Sequence, residues 1–583
     1  MLAAERVGQG ALTRMRRSRL LRWRYRAPAA EELLLAPPDL RASDASFVDE
    51  VASGSLGLAG SVANLGGRSP FAVAPPSQQW ARELHGFGWL RHLAAAQSTE
   101  AKAMARNLTN EWMRHGRRQA PAWEPEVVAR RLLSWLAHAG LLLDDTDHRR
   151  YAAVMVSVTD QVTHLCASWR NAPDGHPRLL ALMSLVCADL CICDHDPQLV
   201  QSQRLLAAEL ERQVGADGGH LSRNPAILVE LLLDLLPLRQ CFAVRGKACD
   251  PQITTAIANM TVMLRHMRLG DGTLARFNGM GTTERDALVT VLTYDEGHAE
   301  AAVRGGYARL QRGPVVAIVD AGAAPPMELA GNAGAGCLSL ELSSAGEPLL
   351  VNAGMPGQAE TARRSLARAT ASHNTLCLGE QSSAKLVRDA RLERAIGSPP
   401  LVHPDNVACE LRQRGDGSLE LEASHDGYVE HFGLRHSRML RLDATGSRLD
   451  GCDRLDAAKG VIRFAWDIPL AIHFHLHPDV EARVGPVAEA ADLLLRNGES
   501  WRLTAAGAAV SIEEDVHFAH PAGVRRSAQV VLRADCCGTG KVSWSLERIG
   551  QPTNAKARRK DRRAGKRLTE RLADTSAGFE PQR

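Results

Sequence analysis

The chain has 583 residues, 45% of them hydrophobic and 23% charged, with a formal net charge of +4. That length exceeds one ordinary core, so two or more domains are expected. The composition is that of a globular protein rather than a disordered or fibrous one, the small charge gives no footprint for nucleic acid, and no apolar run reaches the ~20 residues a membrane span needs.

Residues 1–27 are rich in arginine, with a run that includes Arg14, Arg16, Arg17, Arg19, Arg22, Arg24 and Arg26. They lack the apolar core and small-residue cleavage site of a secretory signal. The expected compartment is therefore the cytoplasm, or the periplasm or cell envelope if the start site lies elsewhere. Residues 1–75 read as an irregular basic lead-in. From 76 to 300 the pattern is helical. In Glu124-Pro-Glu-Val-Val-Ala-Arg-Arg-Leu-Leu-Ser-Trp-Leu a proline opens the first turn, and Val127, Val128, Leu132, Trp135 and Leu136 share one face. Similar segments run at 78–97, 99–115, 147–169, 176–191, 197–213, 225–240 and 251–268. Short Gly-, Pro- or Asp-containing connections make them antiparallel hairpins of a solenoid or closed ring.

Near residue 305 the period falls from 3.6 to 2. Strands are predicted at 315–320, 338–342, 349–352, 375–378, 419–423, 438–442, 461–464, 492–496 and 529–533, punctuated by Gly, Asn, Asp and Ser. Many short strands over 305–550 predict an antiparallel β-sandwich. Helices first and strands second predict two separate domains. In the tail, 551–583, residues 556–571 hold nine Lys or Arg against two acids, a pattern that predicts disorder. The twelve cysteines show no C-x-x-C spacing and read as free thiols.

Three places carry polar side chains that need an explanation. His373 and Asn374 enter an alternating strand in Ala-Thr-Ala-Ser-His-Asn-Thr-Leu-Cys-Leu, so each is either a hydrogen-bonded anchor or part of a site. Asn224 follows the Gly218-Gly219 turn, stands beside His220 and Arg223, and precedes Pro225. It reads as a helix N-cap, as a ligand for a carboxylate, or as both; Arg223 is suited to pair a carboxylate bidentately. His473, His475 and His477 alternate on one strand face. The outer two are ~13 Å apart at the ~3.3 Å strand rise, too far to share one ion, and they read as structural.

Four segments resemble the heparinase II/III family of polysaccharide lyases. Trp80-Ala-Arg-Glu-Leu-His-Gly-Phe-Gly-Trp-Leu resembles an early helix of that family, and Asp217-Gly-Gly-His-Leu-Ser-Arg-Asn-Pro resembles its loop near the cleft. Residues 338–354 resemble the first core strands of its C-terminal domain, and 372–376 resemble its H-N-T-L element. The resemblance covers about 80 to 540. It implies an N-terminal α/α toroid, an incomplete barrel of helical hairpins, followed by a C-terminal antiparallel β-sandwich. It further implies a carbon–oxygen lyase that cleaves uronic-acid glycans by β-elimination. Such chemistry needs a group to neutralise the carboxylate, a base and an acid. By resemblance Asn224 is the neutraliser, His373 and His220 support proton transfer or positioning, and Tyr307 is the candidate base. Arg223, Asn278, Asn374 and Asn332 are the candidate substrate contacts. The sequence departs from the family at two points. The family's tyrosine region reads Asp271-Gly-Thr-Leu-Ala-Arg-Phe-Asn-Gly-Met-Gly here, and Asn332 and Gly334 stand where it carries a histidine and an aspartate. The alternative is therefore a non-catalytic glycan-binding or envelope polysaccharide assembly protein. The expected partner is an acidic polysaccharide or oligosaccharide, with no specific nucleic acid. No cofactor is implied, although the H-N-T-L histidine leaves room for a structural divalent metal; oligomeric state stays open.

Overall fold

The computed structural model describes residues 31–294, 300–357, 360–387, 400–458, 467–485, 487, 489–537 and 540–551. The strand expected at 461–464, the start of the lead-in and the basic tail lie outside the described residues. The helices of the N-terminal part are α1 (Phe47–Ala52), α2 (Gln78–Gly86), α3 (Leu90–Ala96), α4 (Thr99–Arg114), α5 (Pro125–Ala137), α6 (Ala139–Leu143), α7 (His148–Ser168), α8 (His176–Cys191), α9 (Asp196–Gln213), α10 (Pro225–Val244), α11 (Pro251–His266) and α12 (Arg285–Leu292). Five of them, α5 and α8 to α11, carry proline in the first turn, where its missing N–H has no helical partner to lose. The face predicted for α5 is the buried one. Neighbouring helices pack in sequence, α8 on α5, α9 and α10, and α10 on α11, and form the incomplete α/α toroid. None of the described helices is long and apolar enough to cross a membrane.

The single helix expected over 78–97 is two. Phe87 adopts a left-handed conformation (φ 58°) between Gly86 and Gly88. Its ring is fully buried, edge-on to Trp112 and Trp135 at 5.8 and 5.5 Å. Burying a large aromatic is worth roughly 1.5–3 kcal/mol, enough to offset the roughly 1–2 kcal/mol cost of one left-handed residue.

The strands form three main sheets. Ahead of them β1 (Ser55–Leu58) and β2 (Ser61–Asn64) pair as a small antiparallel hairpin, and β3 (Ala302–Arg304), β4 (Tyr307–Arg312), β5 (Val315–Asp320), β6 (Leu340–Ser344) and β7 (Glu347–Leu350) make an antiparallel meander. An eight-stranded sheet runs from 407–413 at one edge to 481–484 at the other, and a four-stranded sheet joins 509–517, 525–537, 467–475 and 376–378. β5 is buried at all six positions. Val316 and Ile318, with Tyr307 of β4, belong to the helical core, whereas Val315, Ala317 and Val319 belong to the sandwich core. The meander is thus a middle layer with apolar side chains on both faces, which is why Val315-Val-Ala-Ile-Val reads as a continuous run. The ends of β4 and β5 lie where the helical and β parts meet.

Candidate functional site

The loop that carries Asn224 is shaped by two glycines. Gly218 has φ 84°, and a Cβ there would overlap the Asn259 carbonyl on α11; a Cβ on Gly219 would come within 2.9 Å of Gly305 Cα. The bare backbone lets the loop pass α11 and touch the turn between β3 and β4. That turn is Gly305-Gly306, with positive φ at both positions, as a tight type I′ hairpin requires. Asp217 fixes the contact by accepting the Gly305 N–H at 2.6 Å.

Arg223, itself at φ 55°, then crosses into the β part. Its Nε donates to Gly305 O at 3.3 Å, and its Nη1 to Gly322 O and Ala323 O at 3.0 and 2.9 Å. Its Nη2 donates to Gly306 O at 2.9 Å and to Asp320 Oδ1 at 2.6 Å. A guanidinium has five N–H donors, and all five are engaged. The guanidinium also lies 4.5 Å from the Tyr307 ring centroid. Burial lowers its proton affinity, but the adjacent Asp320 carboxylate more than reverses that and leaves its pKa raised.

Tyr307 is buried, and its hydroxyl donates to the Arg223 carbonyl. The same oxygen accepts from Asn278 Nδ2 at 2.8 Å, and Asn278 also donates to Asp320 Oδ2 at 3.1 Å. Arg223, Asp320, Asn278 and Tyr307 therefore close a ring of hydrogen bonds across the two parts. Burial raises the phenol pKa, partly opposed by Arg223, so Tyr307 holds its proton.

Asn224 caps α10: its Oδ1 accepts from Ala226 N at 3.0 Å. Its Nδ2 points at Gly279, whose Cβ would lie 3.2 Å from it and 2.5 Å from Asn332 Cβ. The turn of the helical part thus rests directly on residues 330–332 of the β part. Beside it Met355 N donates to Met280 O at 3.0 Å. The cavity at Asn224 and Tyr307 is about 10 Å³, room for about one water. Asn332 is exposed on the outer side, and its Oδ1 accepts from Arg364 at 2.6 Å.

His220 is buried, with Nδ1 on Ser222 Oγ at 2.8 Å and Nε2 on Gln213 Oε1 at 2.9 Å. Burial pushes its pKa down to about 3, so it is neutral with both nitrogens engaged. His373 donates from Nδ1 to Ala369 O at 2.7 Å, and burial lowers its pKa to about 4. Its ring fills the space above Gly334 and Gly336, where a Cβ would come within 3.0 and 2.5 Å. Asn374 is wholly internal. Its Oδ1 accepts from His475 N at 2.6 Å, its Nδ2 donates to Leu340 O at 2.7 Å, and its backbone N–H donates to Asn352 Oδ1 at 2.9 Å, so it ties β6, the 467–475 strand and the segment after β7 together. His473 bonds Gln529 and His475 bonds Asp515. Among the described residues no group of three or more His, Cys, Asp or Glu is placed to hold a metal ion.

The structure thus brings Arg223, Asn224, Asn278, Tyr307 and, at the rim, Asn332 together; His220, His373 and Asn374 anchor the surrounding chain. Asp320 completes the ring and was not foreseen. The available signal was an acid ending a strand that is otherwise wholly apolar.

A family model described as heparinase II/III-like, C-terminal, matches residues 295–545. The FtsZ-localized protein C of Caulobacter vibrioides (strain NA1000 / CB15N) is 30% identical over 536 residues, which cover 89% of this chain and 91% of that relative. The chain belongs to the heparinase II/III-like family. The fold is that of its solved lyases. A heparinase III structure superposes with TM-score 0.70 at 11% identity, covering 92% of this chain and 90% of that one. A mutant of the heparan sulfate lyase HepC from Pedobacter heparinus superposes with TM-score 0.62 at 16% identity, covering 88% and 85%.

Proposed function

We propose that this family member works by binding and not by cleavage: a non-catalytic protein on a lyase fold that localises with FtsZ. The closed Arg223–Asp320–Asn278–Tyr307 ring carries the reading. β-Elimination needs a base and an acid within reach of a bound sugar, yet the Tyr307 phenol and the imidazoles of His220, His266 and His373 are buried, hold their protonation state and are engaged in the scaffold. The cavity at Asn224 holds about one water, not a uronate. The association with FtsZ is supported by the name of a relative alignable over about nine-tenths of both chains.

A uronate lyase is the second reading, and one observation favours it. Asn224 keeps a carboxamide N–H₂ pointed at the junction of the two parts, where a carboxylate would sit if they separated. Ultraviolet absorbance of unsaturated uronate product distinguishes the two. The full chain is incubated with heparin, heparan sulfate, hyaluronan and alginate beside Asn224→Ala, and a fluorescent fusion is imaged with FtsZ in cells. The expected result is no absorbance on any substrate and co-localisation with FtsZ. Product formed by the native chain and lost in Asn224→Ala would establish the lyase, and a fusion spread independently of FtsZ would remove the proposed association.

A further inference from the structure

A trough of about 330 Å³ opens between the end of α11, the turn at 268–274 and α12. It shares no residue with the Arg223 ring. Its volume is at the lower end of the ~300–1,000 Å³ of ligand pockets. Its rim is cationic. Arg268 has no ion-pair partner among the described residues, and Arg285 is 62% exposed and only loosely paired, 3.6 Å from Asp271. Asp271 is the one acid in the lining, and both its oxygens already accept from Thr273 at 2.9–3.1 Å. The floor is aliphatic: Leu288 and Leu292 are buried beneath it, and Val289 is 59% exposed. Arg265 roofs one end, donating to Leu292 O at 3.3 Å.

We propose that this trough docks an acidic peptide segment of a partner protein. Its carboxylates pair with Arg268 and Arg285, and an intervening Leu, Ile or Val side chain covers Val289 and the leucines. The charge balance calls for an anion, because two guanidiniums face an opening in which the single carboxylate is already engaged. The floor selects peptide over glycan, because no aromatic ring stands among the lining residues to stack on a sugar. An exposed valine framed by guanidiniums fits a segment in which acidic and aliphatic residues alternate, one side chain per contact. The assignment rests on the chemistry of the trough alone and goes beyond the association with FtsZ.

The test is fluorescence anisotropy of a fluorescein-labelled synthetic peptide of alternating aspartate and leucine, titrated into the full chain. Saturable binding that weakens as salt is raised is expected. The double variant Arg268→Glu/Arg285→Glu should bind about tenfold more weakly, and Val289→Asp should also lose affinity. Should the double variant fail to fold, Val289→Asp carries the test, since that side chain is mostly exposed. A peptide with asparagine in place of aspartate should not bind. The proposal is overturned by an absence of saturable binding, by equal affinity in the native chain and Val289→Asp, or by a heparin oligosaccharide that binds in an Arg268- and Arg285-dependent way while the peptide does not.

Discussion

Arg223 joins the helical and β parts through one side chain. Removing it leaves the buried Asp320 carboxylate without its cation, and an uncompensated buried charge costs about 3–5 kcal/mol. Arg223→Ala should therefore lower stability by about that amount in urea denaturation. Arg223→Leu combined with Asp320→Leu should cost less than Arg223→Ala, because replacing both charges by apolar groups leaves neither unpaired. If the double variant is as damaged as the sum of two single ones, the ring is not the coupled unit described. The sequence displayed half of this site. The Gly-Gly turn and the Asn-Pro step announce a tight loop feeding a helix cap, and Arg223 sits where both can be read locally. Its partner could not be read, because Asp320 lies 97 residues away and only the tertiary fold brings them together. The same limit applies to Tyr307 and Asn278, which stand 29 residues apart and meet only because β4 packs against the turn that carries Asn278.

Among the elements, the loop before α10 is the one whose backbone leaves least freedom. Gly218 and Gly246 both have positive φ, 84° and 59°. Gly246, after α10, has no atom within 4 Å of the place a Cβ would take, while Gly218 has the Asn259 carbonyl there. Gly246→Ala should cost only the left-handed conformation, about 1–2 kcal/mol. Gly218→Ala should cost more, because the loop must also move off α11 and loosen the Asp217–Gly305 contact. Thermal unfolding of the two variants side by side measures the difference, and equal melting temperatures would sink the account. Element types follow from period and punctuation, as the proline-led helices and the switch near residue 305 illustrate. The break at Phe87 does not, since it depends on Trp112 and Trp135 from other helices. Nor does α12, a helix of eight residues too short to show a strong period. The continuous apolar run of β5 carried the information that both its faces are covered, although periodicity alone could not say by what.

Across the whole molecule, neutral buried imidazoles link both cores to pH. Burial holds His85, His266, His373 and His477 near a pKa of about 4 and His220 near about 3, against an unfolded value of about 6.5. Between these values the unfolded chain binds protons that the folded chain refuses, so stability falls as pH drops. Their contribution is complete above pH about 6.5 and is lost progressively down to about 4. Each such group yields on the order of 1.4 kcal/mol per pH unit crossed. The paired acids act in a different range: Asp234 is held low by Arg130 and Arg41 against the opposing effect of burial, and Asp453 by Arg438 and His436 in the same way, so their loss begins only below the unfolded carboxylate value of about 3.9. The denaturation midpoint should therefore decline steeply from pH about 6.5 to about 4, before the carboxylates contribute. His85 and His220 lie in the helical part, whereas His373 and His477 lie in the β part, so acid weakens both at once and unfolding should remain a single transition while the Arg223 ring holds them together. A midpoint constant over that range would refute the neutral-imidazole account, and two separated transitions would show that the ring does not couple the parts.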